Sequence, residues 1–147
     1  MPPDFFGTGW RGAIVSTIVC WLVRLFLGAA KHAELRAALA PDPDDKPLVL
    51  GAARSSRWPT VRAEHLKKCP RCVACGGSEN VQVHHLRPFH LSPSLELDEH
   101  NLVSLCEKPS RNCHFHFGHS FDWKAYNEHC LEDAATFANR ILTRQRM

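Results

Sequence analysis

The chain has 147 residues, which is enough for one compact domain with some additional material but not for two full domains. Its 18 Lys and Arg against 15 Asp and Glu give a net charge of +3, so overall charge does not indicate a nucleic-acid partner. Five of the seven Cys and seven of the ten His lie between Cys69 and His119, an interleaving that argues against a secreted disulfide framework and favours metal ligation.

The most apolar stretch of the chain runs from Ala13 to Ala30. Its 18 residues are at the lower limit for a membrane span. Placing Arg24 in a bilayer would cost about 2.5–3.5 kcal/mol. Helical spacing aligns Ser16, Cys20, Arg24 and Gly28, which favours an amphipathic helix on a partner or a membrane surface; a true anchor and an unordered extension are the alternatives. No small-residue cleavage site follows, so we expect a cytoplasmic location, with membrane association as the alternative.

Composition divides the rest of the chain into a linker and one domain. Residues 1–40 form the apolar, helical extension, and the sequence PDPDDKP at 41–47 marks a linker because its three Pro stop any helix. The functional domain is therefore expected over residues 48–147, with its core at 69–120.

A basic segment opens this domain. Between Arg54 and Arg71 there are six Lys and Arg against a single Glu. Pro59 stands at a suitable first helical position, so we predict a short basic helix that leads into the cysteine cluster. Taken alone, such a run is most simply a solvated helix face.

The run CPRCVACGG supplies candidate zinc ligands. Cys69, Cys72 and Cys75 are spaced by three, and either adjacent pair is a CxxC that can hold one face of a tetrahedral zinc. The pair Cys72 and Cys75 is favoured, because the two Gly that follow permit a tight turn with amides aimed at the thiolates. Cys106 and Cys113 are the remaining Cys of the cluster and would complete a structural site. A lobe of about fifty residues needs such a staple, because its core is small.

The sequence between the two cysteine pairs predicts a hairpin. Alternating apolar residues from Val81 indicate a strand that runs into His84 and His85, and LVSLC indicates a returning strand that begins just after Asn101. Neighbouring strand residues point to opposite faces, so His84 and His85 are expected to have different roles.

Three His follow the last cysteine of the cluster in the run CHFHFGH. On a regular helix His114 and His119 are about 140° out of phase, whereas His116 and His119 share a face. An irregular turn would instead bring His114 and His119 together, so the pattern alone leaves both pairs open.

An amphipathic helix is predicted at the end of the chain, over residues 127–144. Leu131, Ala134, Ala138 and Ile141 recur there at steps of three and four, which is typical of a helix that covers a core. The isolated Cys20 and Cys130 are interpreted as packing residues.

Together, the motifs CVAC, VHHL, HNLVSLC and CHFHFGH resemble those of the HNH endonuclease superfamily, in the subgroup with a four-cysteine structural zinc. The resemblance covers about fifty residues, and order, spacing and residue types agree. One departure is the six residues between Cys106 and Cys113, where a CxxC is commoner. The resemblance implies an α+β fold with a small ββα-metal (His-Me finger) core and a zinc knuckle, flanked by helices.

The resemblance also implies a role for each residue of the site. His84 matches a ligand of the catalytic metal, His85 the general base, and Asn101 the residue that holds the loop and the base in position. His114 matches a second metal ligand, and we prefer His119 over His116 as the third. The implied activity is metal-dependent hydrolysis of phosphodiester bonds in DNA, by nicking.

The implied cofactors are a structural Zn²⁺ and a catalytic Mg²⁺ or Mn²⁺, with Zn²⁺ or Ni²⁺ also compatible with imidazole ligands. DNA, double-stranded or branched, is the expected partner. One catalytic metal would cut one strand, so a double-strand break would need two events or a homodimer. With the site beside it, the basic segment is expected to contact phosphates in a salt-sensitive manner. The predicted contacts are Arg54, Arg57, Arg62, Lys67, Lys68, Arg87 and Arg111.

The main alternative is a non-catalytic zinc-binding module that recognises nucleic acid or protein. A structural zinc alone requires neither the His pair nor Asn101 and His114, so the sequence favours the nuclease.

Overall fold

A computed structural model describes residues 34–35, 37–40, 42–49 and 51–147 of the chain. The apolar helix predicted over residues 13–30 lies outside them. None of the helices in the described ranges is long and apolar enough to cross a membrane.

A two-stranded antiparallel sheet lies at the centre of the domain. Strands β1 (Val81–His85) and β2 (Leu102–Cys106) pair so that Val81 is opposite Cys106 and His85 is opposite Leu102. All five residues of β2 are buried, so other elements cover both of its faces. The predicted hairpin is confirmed, with ends within one residue of those expected.

Helical elements surround the sheet, and two short 3-10 helices (Pro93–Leu95 and Glu99–Asn101) lie in the loop between the strands. Helix α1 (Trp58–Lys68) has a Pro in its first turn, as predicted, and buries His65. A π-helical turn (His114–Gly118) follows the last cysteine of the cluster, and helix α2 (Cys130–Gln145) ends the domain. The sequence prediction started α2 at residue 127, three residues too early. The Oδ1 atom of Asn127 instead accepts from the amide of His129 at 2.9 Å, which closes a turn ahead of the helix.

Helix α2 closes the core over the cysteine cluster and the sheet. Its buried face packs on the π-helical turn and shares one core with residues of β2, and Cys130 is fully enclosed as a packing residue. The buried residues of α2 are Cys130, Leu131, Ala134, Ala135 and Ala138. The chain therefore forms a small mixed α/β domain, with a two-stranded antiparallel sheet and helices packed around it.

The end of the predicted extension and the predicted linker both contact this domain. Leu39 is buried, and its carbonyl accepts from Nε of Arg87 at 3.0 Å. Asp45 accepts from the hydroxyl of Ser94 at 2.7 Å, and the amide of Leu48 donates to the His90 carbonyl at 2.7 Å. Leu39, Asp45 and Leu48 thus contact the loop between the strands.

Candidate metal centres and active site

Four cysteines converge where the end of β2 meets the turn after α1. The sulfurs of Cys72, Cys75, Cys106 and Cys113 all lie within 4.8 Å of one another. Those of Cys75 and Cys106 are 3.7 Å apart, and a tetrahedral zinc with bonds of about 2.3 Å requires sulfur separations of about 3.8 Å. This cluster therefore could hold a metal ion such as zinc. Cys69 lies outside it.

The turn after Cys75 and the hydrogen bonds to its sulfur favour the thiolate form of this cysteine. Gly76 has φ +72°, a left-handed conformation that Gly adopts without steric cost. The pKa of the Cys75 thiol lies well below its usual range, because the thiols of Cys113 and Cys72, the Gly77 amide and the Arg111 side chain donate to its sulfur. The pKa of the Cys113 thiol is raised, because it donates to the sulfurs of Cys72 and Cys75, so a bound cation would have to displace its proton.

A second cluster consists of three imidazoles. One ring nitrogen from each of His84, His114 and His119 lies within 4.8 Å of the other two. The ring centroids are 5.0 Å, 5.1 Å and 5.0 Å apart, so the rings surround a common point. We refer to these three residues as the imidazole cluster.

The π-helical turn decides which His joins this cluster. It carries His114 at its start and leaves His119 directly after its end, so that residues five apart lie on one side. His116 points elsewhere and stacks on Phe121, with ring centroids 4.7 Å apart. Of the two pairs that the sequence left open, the structure brings together His114 and His119.

Hydrogen bonds orient the rings of the cluster. Nδ1 of His114 donates to the Glu107 carboxylate at 2.7 Å, and Nδ1 of His119 donates to the Ala125 carbonyl at 2.8 Å. Both rings therefore carry their proton on Nδ1 and keep the lone pair on Nε2, the usual arrangement of a His that ligates a metal. Glu107 was not predicted from the sequence, where its only signal is its position directly after Cys106.

The remaining ring completes the cluster from β1. Nδ1 of His84 lies 3.0 Å from Nε2 of His114, a separation at which two nitrogens need a shared proton or a cation between them. Burial lowers the pKa of His84 well below its usual range, and nearby His114 and His119 lower it further. Burial also lowers the pKa of His114. The rings of His84 and His114 are therefore neutral near pH 7, as metal ligation requires.

Gly118 allows the rings to approach. A Cβ atom at this position would lie 3.0 Å from Nδ1 of His84 and 3.1 Å from Cδ2 of His114. Even an alanine would therefore push on both rings.

His85 is buried on the opposite face of β1. Its Nε2 lies 2.9 Å from the Glu96 carbonyl, which can only accept, so Nε2 carries the proton and Nδ1 keeps the lone pair. Nη1 of Arg54 is 3.5 Å from the same nitrogen, a longer approach between two donors that does not change this assignment. Burial lowers the pKa of His85 to about 4, and the nearby Arg54 charge contributes. His85 is therefore a neutral imidazole with one available lone pair.

Asn101 fastens the loop between the strands, residues 86–101. It is fully buried, and its Oδ1 accepts from the Arg87 amide at 2.7 Å. Its Nδ2 donates to the carbonyls of Arg87 and Leu95, each at 3.0 Å. These bonds fix the loop segment that presents the Glu96 carbonyl to His85.

One cavity of about 340 Å³ joins the imidazole cluster and His85. Its wall includes Arg54 and Lys124, while no carboxylate is among its lining residues in the described part of the chain. Arg54 lies over the rings of Trp58 and Phe89, at 5.0 Å and 4.7 Å from their centroids. The cavity therefore combines neutral imidazoles with fixed positive charge and suits an anionic ligand.

The seven basic residues predicted to contact phosphates have different surroundings. Arg54 lines the cavity, and Arg57 and Lys67 are exposed on or beside α1. The other four contact protein groups: Arg62 the Gln82 side chain, Lys68 the Glu99 carboxylate, Arg87 the Leu39 carbonyl and Arg111 the Cys75 thiolate. Arg87 and Arg111 are thus occupied away from the imidazole cluster.

No protein-family model, curated protein or solved structure matches this chain. A function for this chain therefore has to be inferred from the arrangement of its own side chains.

Proposed function

We propose that this protein is a metal-dependent HNH-type endonuclease that hydrolyses phosphodiester bonds in DNA. The observation that carries the proposal is the pairing of the imidazole cluster with His85, a neutral base with its lone pair available, in one cavity. Phosphodiester hydrolysis requires these two elements together. The described residues that line this cavity include no carboxylate.

His85 is the general base in this proposal. It takes a proton from the attacking water on Nδ1, while the Glu96 carbonyl keeps the ring oriented through the proton on Nε2. Asn101 acts as a positioning residue, because it holds the loop that carries Glu96. A base of this kind contributes about 10²–10⁴-fold to a rate.

His84, His114 and His119 would hold the catalytic divalent ion. Mg²⁺ or Mn²⁺ would need water and phosphate oxygens as its other ligands, whereas imidazole by itself favours the alternatives Zn²⁺ and Ni²⁺. When bound, such an ion supplies positive charge for the scissile phosphate and for the leaving oxygen. Arg54 and Lys124 add positive charge at the same cavity and would bind the flanking phosphates.

We propose that the sheet and the π-helical turn together form a ββα-metal core. In a ββα-metal core, two strands and a following helix carry the ligands. Here β1 supplies His84, and the π-helical turn after β2 supplies His114. One imidazole cluster per chain would cut one strand, so we propose a nicking activity.

The test is incubation of purified protein with negatively supercoiled plasmid and each divalent ion in turn. We expect nicked circles with Mg²⁺ or Mn²⁺ and none after chelation. His114→Ala should abolish nicking and leave the zinc content unchanged. Absence of cleavage with every ion would instead support the non-catalytic zinc-binding module.

A further inference from the structure

Two large aromatic side chains are exposed beside the imidazole cluster. Among the described residues, Phe121 is 67% exposed and Trp123 is 53% exposed. The Trp123 ring lies 4.9 Å from His119 and 5.5 Å from His114, measured between centroids. Exposed aromatic rings grouped next to a cavity are typical of a binding surface.

Further rings join these two into a continuous row. Phe115 contacts both, with centroids 5.0 Å from Trp123 and 6.0 Å from Phe121. His116 stacks on Phe121 with the two planes 29° apart. We call His116, Phe121, Phe115 and Trp123 the aromatic ridge. It extends from the protein surface to the imidazole cluster.

The backbone at Phe121 is unusual for an aromatic residue. Its φ is +67°, in the left-handed region that bulky side chains rarely adopt, and the preceding Ser120 has φ +49°. This strained conformation points the ring to solvent rather than into the core. Core packing therefore does not explain the ring.

Charge at the Trp123 end of the ridge indicates what it binds. Trp123 and Lys124 line the cavity that also contains Arg54, and no acidic residue is among the cavity's described lining residues. Positive charge next to exposed aromatic faces suits a chain that alternates phosphates with flat bases. An apolar protein partner would not need these cations.

We propose that the aromatic ridge stacks the bases of an unpaired DNA strand next to the scissile phosphate. The inference rests on the proposed nuclease function and specifies its substrate as single-stranded or locally unpaired DNA. In a duplex both faces of each base are covered by neighbouring bases, so an aromatic ring can stack only on an unpaired or splayed base.

Binding can be measured separately from cleavage. The probes are one fluorescently labelled DNA oligonucleotide and its duplex, titrated by anisotropy with the full chain carrying His85→Ala. Phe121→Asn in this background removes the ring and suits the left-handed backbone, because Asn is enriched there. We expect single-strand affinity to fall about 5- to 160-fold, the range for loss of one base stack. Duplex affinity should change little, and Phe121→Tyr should retain binding.

Three results would overturn the inference. The first is an unchanged affinity of Phe121→Asn for the single strand, and the second is an equal loss of affinity for the single strand and the duplex. The third is a variant that binds DNA normally but no longer self-associates, which would identify the ridge as a protein interface. Equal zinc content and melting temperature of the variants exclude misfolding as the cause. Because binding needs no cleavage, a failed nicking assay with retained single-strand preference would refute the nuclease and not the ridge.

Discussion

The alternation of side chains along β1 gives His84 and His85 separate environments, and the sequence alone predicts this. Both side chains are buried, yet one joins the imidazole cluster and the other bonds to the Glu96 carbonyl. The partners that orient the rings could not be predicted. The Ala125 carbonyl, for example, meets His119 through the conformation of a loop, which no local pattern encodes.

Substitution of Gly118 tests the packing of the imidazole cluster. Gly118→Ala places a Cβ about 3 Å from both His84 and His114, so the rings must separate. We expect nicking to fall, by less than the roughly 100-fold that a misplacement of about 1 Å at a reacting centre can cost, because contacts of 3.0 and 3.1 Å displace the rings only slightly. Gly77→Ala is the matched control, since its Cβ would lie at an ordinary 3.4 Å from the Cys75 sulfur. Equal activity of the two variants would count against the cluster as the catalytic centre.

Glu107 should influence metal affinity without touching the metal. Glu107→Gln weakens the acceptor for Nδ1 of His114 and so lowers the basicity of its Nε2. Loss of such a partner typically reduces metal affinity 10- to 100-fold, which titration of nicking against Mn²⁺ concentration would measure. Glu79→Gln, which alters an exposed pair with Lys108, should have no effect. An unchanged Mn²⁺ dependence for Glu107→Gln would refute this role.

At the scale of elements, the regular pieces were predictable and the irregular ones were not. Apolar alternation located β1, the apolar residues of LVSLC located β2, and helical periodicity located α2, because these patterns report burial directly. The π-helical turn has no such periodicity, so the sequence could not choose between His116 and His119. Packing against the sheet and α2 makes that choice.

The loop of residues 86–101 connects the strands and depends on Asn101. Asn101→Ala removes three hydrogen bonds and leaves buried backbone groups unpaired. We expect the free energy of unfolding to fall by about 2–4 kcal/mol, measured by urea denaturation. Nicking should also weaken, because the Glu96 carbonyl no longer fixes His85. Ser94→Ala, which removes an exposed bond of the same loop to Asp45, should change stability far less. Similar losses in both variants would contradict this role for Asn101.

Considered as a whole, the molecule has a small core that includes three of its cluster cysteines. Cys72, Cys106 and Cys113 are nearly inaccessible and pack with Leu105 and α2. The sequence could predict this four-cysteine site, because Cys72 and Cys75 form a CxxC pair and Cys106 and Cys113 are the other cysteines nearby. It could not predict that Leu39 and the linker pack on the domain, because those contacts depend on the folded surface of the loop between the strands.

Removal of the structural metal should therefore unfold the domain. We expect about one zinc per chain by metal analysis, and its loss in Cys72→Ser together with loss of cooperative melting, because binding to such sites is coupled to folding. Cys130→Ser is the matched control: it is equally buried but lies outside the cluster and should retain zinc. A wild-type protein without zinc would refute the staple.

The most direct test of the nuclease proposal compares nicking rates of wild type and His85→Ala at saturating Mn²⁺. Loss of the general base predicts a fall of at least about 100-fold, with the zinc content and the melting temperature unchanged. His100 is an exposed His beside Asp98 in the loop of residues 86–101, and His100→Ala should nick like wild type. Undiminished cleavage by His85→Ala would contradict the mechanism proposed for this site.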